Sequence, residues 1–217
     1  GLIGWGYLAA ALTYILCRNS LLLTALAAAL FLGLNILASL GLSTFLDPAR
    51  PLLGVIIDGN VPFIVISGTF VGLMLKNSAG TGNKTLIRNL VISGVLSLAA
   101  GFLLREWFIL SKIKATPSWG LVCTGISILV FTIIYVISDV FGKTGWAEFF
   151  RPAGENSLTT YLVPNILYHL IWMGGLPVFF YKQSQILPIV IGGSIIWAIL
   201  MVWLAAFMKR LGISLKL

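Results

Sequence analysis

Apolar residues run along this chain in long stretches, without the spacing that marks one buried face of a soluble helix or strand. At about 20 residues per crossing, the pattern predicts about seven membrane-spanning helices. They run Leu2 to Cys17, Leu21 to Gly41, Val61 to Leu75, Leu86 to Leu104, Trp119 to Val140, Ser157 to Met173 and Ile186 to Met208. Arg18-Asn19, Arg105-Glu106 and Lys209-Arg210 end three of them. Between the second and third lies a polar segment, Ser43 to Asn60, holding Asp47, Pro48, Arg50, Pro51 and Asp58. Its apolar centre, Leu52 to Ile57, is too short to cross and reads as re-entrant or interfacial. The expected fold class is all-α, a polytopic helical membrane bundle forming one domain over residues 1–217, with no internal repeat.

Composition supports the bilayer as solvent. Hydrophobic residues make up 59% and charged residues 9%, with a mean hydropathy of +1.05. A soluble chain of this size carries about 25% charged residues. The net charge of +8 does not point to nucleic acid, because the basic residues are scattered between apolar runs. Positive-inside bias and anionic lipid account for it. One side of the expected topology holds Arg18, Lys76, Lys84, Arg88, Lys143, Arg151, Lys209, Arg210 and Lys216, nine in all. The other holds five, Arg50, Arg105, Lys112, Lys114 and Lys182, so the C-terminus is expected in the cytoplasm. Cys17 and Cys123 give neither a disulfide framework nor a metal spacing, and a single histidine makes no multi-histidine site. The chain opens at Gly1 directly in an apolar run, without a basic leader, and reads as part of a longer membrane protein.

Candidate chemistry concentrates in and before the sixth span. Ser157, Tyr161, Asn165 and His169 recur every four residues and share one side of a helix. Hydrocarbon would tolerate such a stripe poorly, so it is expected to face the bundle interior or a wet cavity. It either lines a substrate path or makes interhelical hydrogen bonds. His169 has the only side chain with an ordinary pKa near neutrality, and reads as a general base or a tethered interior histidine. The preceding loop, GKTGWAEFFRPAGEN from Gly142, carries Lys143 and Arg151 and leads to Asn156-Ser157 at a helix start. Free N–H groups there suit an anion such as a phosphate. The same loop also fits an interfacial anchor of Trp146, Phe149 and Phe150. Its GKT is no P-loop, because the glycine five residues earlier is missing. The loop from Arg105 to Trp119 offers Lys112, Lys114 and Trp119 to an acidic or carbohydrate acceptor, or lies flat at the interface. Gly68-x-x-x-Gly72 is expected to permit close helix packing.

Three stretches in order carry a resemblance: SKIKATPSW from Ser111, YVISDVFG from Tyr135, and FFRPAGENSLTTY from Phe149. Together they resemble the C-terminal half of the heparan-α-glucosaminide N-acetyltransferase family and its bacterial relatives. The opening Gly1 to Tyr7 is similar to a mid-chain helix of those proteins. The resemblance implies a membrane acetyltransferase that takes acetyl from cytosolic acetyl-CoA and delivers it to an amino sugar or anionic glycan across the membrane. Asp139, Asn156, Ser157 and Tyr161 match the motif and are implied as pocket or support residues. Arg151 joins Asn156, Ser157 and Tyr161 on the donor side. Asn165, Asp139, Lys112, Lys114 and Trp119 would mark the acceptor's path. The family's catalytic histidine lies near its first helices, upstream of what this chain contains. Where the lysosomal enzymes have a histidine three residues after the matching tyrosine, this sequence has Pro164. The expected setting is the bacterial inner membrane, with the lipid bilayer and a homodimer as partners and no metal or nucleic acid. The competing expectations are a small-molecule transporter and a non-catalytic membrane subunit.

Overall fold

Helices account for nearly all of the described chain, and proline and glycine punctuate them. The computed structural model describes residues 2–78, 82–175, 178 and 184–212; Lys182 and Lys216 of the charge count lie outside them. Among those residues the order is α1 (Leu2–Cys17), α2 (Leu21–Ser39), α3 (Arg50–Asp58), α4 (Asn60–Asn77), α5 (Asn83–Leu104), α6 (Pro117–Tyr135), α7 (Arg151–Glu155), α8 (Ser157–Met173) and α9 (Leu187–Arg210). A 3₁₀ turn, Thr44–Ala49, precedes α3, and a second, Gly145–Phe149, precedes α7. A π-helical turn, Val136–Val140, extends α6.

Five stretches among the described residues are long and apolar enough to cross a membrane: Leu21–Ser39, Thr44–Asn77, Asn83–Leu104, Pro117–Val140 and Leu187–Arg210. They make this an all-helical membrane protein. Helix α1, with 16 residues, and α8, with 17, are shorter than these five stretches. The third span differs most from expectation. The segment expected to dip or lie flat forms α3 and continues into α4 after one interruption at Gly59, whose φ is +69°. Local signals set these boundaries. Arg18 and Asn19 take positive φ between α1 and α2, and the Ser20 hydroxyl then accepts from the Leu23 N–H at 3.3 Å, capping α2. Prolines stand in the first turns of α3, α6 and α9, where a missing N–H costs nothing.

The chain divides into two compact units, Gly1–Gly142 and Lys143–Leu217. In the first, α4 is the central helix and packs on α1, α2, α3 and α6. One buried cluster joins Ala10, Ala28, Phe63, Ile66 and Leu121, and a second joins Val71, Met74, Leu86, Leu90 and Ile128. The closest pair is α5 with α6. A Cβ on Gly101 would stand 2.8 Å from the Val122 nitrogen, and one on Gly125 would stand 2.8 Å from the Gly94 oxygen. Backbones this close require small residues. Gly68 and Gly72 do not play that part: a Cβ at either meets nothing within 4 Å. They open a groove of about 400 Å³ beside Thr124 and Phe131 instead. In the second unit α7, α8 and α9 pack on one another. Thr159, Val163 and Pro164 of α8 face Met201, Leu204 and Ala205 of α9.

Candidate functional site

The sequence places its donor-side candidates at the junction of α7 and α8, and the backbone explains their grouping. Pro152 stands in the first turn of α7, which ends after five residues, and Asn156 turns the chain at φ −120° and ψ 48° before α8 begins. Asn156 is buried, and its carbonyl accepts from the Thr160 hydroxyl at 2.9 Å. The same hydroxyl reaches the Ala153 carbonyl at 3.1 Å, tying the first turn of α8 to α7. Arg151, Ser157 and Tyr161 are exposed around this turn. Arg151 is not a free cation. Its Nε donates to Glu155 at 2.8 Å, and its terminal nitrogen reaches Glu148 at 3.3 Å.

Glu155 also accepts from Lys209 of α9. Lys209 first, and Arg151 second, hold its carboxyl below the ordinary value of 4.5. A carboxyl with a lowered pKa stabilises the paired fold above its ordinary value, and that contribution disappears as pH falls through the lowered one. The amides of α7 are therefore expected to stay protected from exchange down to about pH 4.5 and to lose protection below it. Hydrogen exchange, corrected for its intrinsic pH dependence, measures this. Glu155→Gln should flatten the profile, and an equally flat profile in the unaltered protein would remove the ion pair from the account.

The stripe on α8 lies on the side turned away from α9. Ser157, Tyr161, Asn165 and His169 are all exposed, while Thr159, one turn in, is buried. Asn165 donates to the Tyr161 carbonyl at 2.9 Å, and the His169 ring nitrogen Nδ1 pairs with the Asn165 carbonyl at 2.8 Å. Bonds back to the helix's own carbonyls lower the cost of these groups outside water. The four residues thus form a continuous polar edge about 18 Å long.

In the first unit, Lys112 and Lys114 are exposed on a turn, and Trp119 is half-buried in the first turn of α6. Asp139 is exposed in the π-helical turn at the other end of α6, roughly 30 Å along the axis from Trp119. The structure does not bring Asp139 together with the two lysines. It builds the lysine turn firmly. The Thr116 hydroxyl donates to the Ile109 carbonyl at 2.7 Å and accepts from the Ser111 N–H at 3.1 Å. The Ser118 hydroxyl donates to the Phe108 carbonyl at 2.7 Å. Ala115 takes φ +48°.

Two buried asparagines that are not among the sequence candidates anchor that turn. Asn35 of α2 donates to the carbonyls of Asp58, at 2.7 Å, and Ala115, at 3.0 Å. Asn60 of α4 donates to the Thr116 carbonyl at 3.1 Å and to Asn35 Oδ1 at 3.3 Å. Both are buried. Beside them Arg50 bridges Asp47 at 2.7 Å, Asp58 at 2.6 Å and the Ser43 hydroxyl at 2.8 Å. An amide inside an Ala- and Leu-rich span is the signal that marks Asn35, because such a group needs a partner in hydrocarbon. Among the described residues no three His, Cys, Asp or Glu side chains gather as a metal site. No family model, curated protein or solved structure matches the chain.

Proposed function

We propose that the chain is the membrane-embedded portion of an acetyltransferase that crosses the bilayer about seven times. It takes acetyl from acetyl-CoA on the cytoplasmic face of a bacterial inner membrane and passes it to an amino sugar or anionic glycan on the other side. The C-terminus is cytoplasmic in this reading. The observation that carries it is the α7–α8 junction, where buried Asn156 sets the start of a helix whose exposed polar edge continues to His169. The junction is built from the motif that carries the family resemblance.

The chemistry defines what the residues must do. The amine attacks the thioester carbonyl, an oxyanion forms, and the C–S bond breaks to release the thiol, while a base takes the ammonium proton. Ser157 and Tyr161 supply hydroxyl donors near the anion-suited helix start, with Arg151 beside them to meet a phosphate. Arg151 must first exchange one of its two carboxylate partners. The resemblance implies a base upstream, and His169 is the alternative within this chain. Lys112, Lys114 and Trp119 form the acceptor's landing, on a turn held rigid by Asn35 and Asn60.

The test is thiol release from acetyl-CoA by the whole acetyltransferase, with the upstream helices that carry the base, in sealed vesicles with the amino sugar on the opposite side. Release is expected to require the trans-side sugar. Tyr161→Phe, which keeps the ring and removes one donor, is expected to slow it by about tenfold or more. Release with no sugar present, or none with any of several amino sugars, sinks the reading. Transport is the second reading, favoured by the charged cluster of Arg50, Asp47 and Asp58 beside the buried asparagines. Solute flux without thiol release identifies that case.

A further inference from the structure

Where α4 ends and α5 begins, a cavity of about 430 Å³ opens between α2, α4 and α5. One wall is apolar, formed by Leu21, Phe70, Met74 and Ile92. The other is polar, formed by Asn77, Thr85, Asn89 and Ser93 together with Ser78. Thr85, Asn89 and Ser93 recur every four residues, so the first turns of α5 present one polar side. Ser93 lies roughly 15 Å along the axis from the start of α5. That depth belongs to a helix apolar enough to cross a membrane.

Several other polar side chains of the first unit's spans are satisfied within the protein. Ser67, Thr69 and Thr132 donate to carbonyls of their own helices at 2.8, 3.2 and 2.7 Å. Ser97, the next residue on the α5 stripe, donates to the Leu121 carbonyl at 3.0 Å. Asn77, Thr85, Asn89 and Ser93 have no side-chain hydrogen-bond partner among the described residues. Asn77, Thr85 and Asn89 are exposed and Ser93 is half-buried, so in a bilayer all four require water or a ligand to satisfy them.

Charge narrows the ligand. Helices α2, α4 and α5 carry no carboxylate, and their charged residues are Lys76, Lys84 and Arg88. Lys84 and Arg88 are exposed, each one residue before a lining residue of α5. Asp139 also stands at this end, after α6, but does not line the cavity. The lining is mixed, with an apolar floor and a few placed polar groups, as in small-molecule sites of this size.

We propose that this cavity binds a phosphate group attached to an apolar body. The phosphate oxygens accept from Thr85, Asn89 and Asn77, with Lys84 and Arg88 supplying the surrounding positive field, and the apolar body rests on Phe70 and Met74. Bilayer phospholipid and a soluble phosphate ester share this chemistry. The site shares no residue with the α7–α8 junction and does not depend on acetyl transfer.

The experiment is calorimetric titration of the purified protein in maltoside micelles, which contain no phosphate. The two probes are dihexanoyl phosphatidic acid and inorganic phosphate. Saturable binding of the phosphatidic acid is expected, weakened about tenfold by Asn89→Leu and by Thr85→Val, since each removes a hydrogen bond to a charged group. Ser127→Ala, outside the cavity, should bind as the parent does. Saturable binding of inorganic phosphate as well, with the same variant sensitivity, supports the proposal and assigns the site to soluble phosphates. Binding of the phosphatidic acid alone supports it and assigns the site to lipid. Thr85→Val replaces an exposed side chain with one of the same shape, so its effect does not depend on a folding defect. Non-saturable partitioning, or equal affinity in both variants, overturns the proposal.

Discussion

Gly59→Ala is expected to destabilise the first unit by about 3 to 5 kcal/mol, combining backbone strain with overpacking. Gly59 has φ +69°, a conformation an L side chain adopts only at a cost. A Cβ there would stand 2.3 Å from the Phe31 carbonyl oxygen and 2.9 Å from the Asn35 nitrogen. Both are backbone atoms of α2, which cannot swing aside as a flexible side chain can. The substitution must therefore part α2 from the α3–α4 joint or unwind that joint. Gly54→Ala is the control, because a Cβ at Gly54 meets nothing within 4 Å. Equilibrium unfolding in mixed micelles, driven by sodium dodecyl sulfate, reads both. If Gly59→Ala lies within about 1 kcal/mol of the parent, the close approach of α2 to this joint is wrong.

The second large effect is expected at Asn35. Asn35→Leu strands the carbonyls of Asp58 and Ala115, and it removes the acceptor for one Asn60 hydrogen. Unsatisfied groups of this kind cost about 1 to 3 kcal/mol each, and these carbonyls are only partly buried, so about 2 to 4 kcal/mol in total is expected. The effect has a local signature as well. The turn carrying Lys112 and Lys114 loses its anchor on α2, and trypsin should cut there faster than in the parent. Asn60→Leu should act through the same turn, by freeing the Thr116 carbonyl. Because the two amides share a bond, the double variant is expected to lose less than the sum of the singles. Strict additivity, with no change in cleavage at the lysines, would separate the asparagines from the turn.

Much of the helical frame was legible in the sequence. Leu2–Cys17 and Ser157–Met173 are helices with the expected bounds, and the other expected helices shift by only a few residues, but the third is prolonged into Thr44–Asn77 by the segment expected to dip or lie flat. Less of the site was legible. Arg151, Asn156, Ser157 and Tyr161 come together because they are sequence neighbours across one turn. Their alignment with Asn165 and His169 follows from helical spacing. The direction of that edge did not follow. A polar stripe in an apolar helix reads as inward, yet α8 turns Thr159, Val163 and Pro164 toward α9. Asn165 and His169 can lie on the other side because they bond to carbonyls one turn back along their own helix. Hydropathy does not register that local satisfaction.

The sequence by itself determined an all-helical membrane chain and where most of its long helices start and stop. Apolar length, proline and glycine act within a few residues of themselves, so these properties can be read locally. Only the tertiary structure decided which helices touch, and through which residues. Asn35 meets Ala115 across 80 positions and Asn60 across 25. Gly94, Gly101 and Gly125 bring two helices together, while Gly68 and Gly72 leave a groove open. In water, the apolar face of a helix announces its interior side. In a bilayer both faces are apolar, so rotation and register depend on close packing and a few hydrogen bonds between distant residues, which local patterning does not encode.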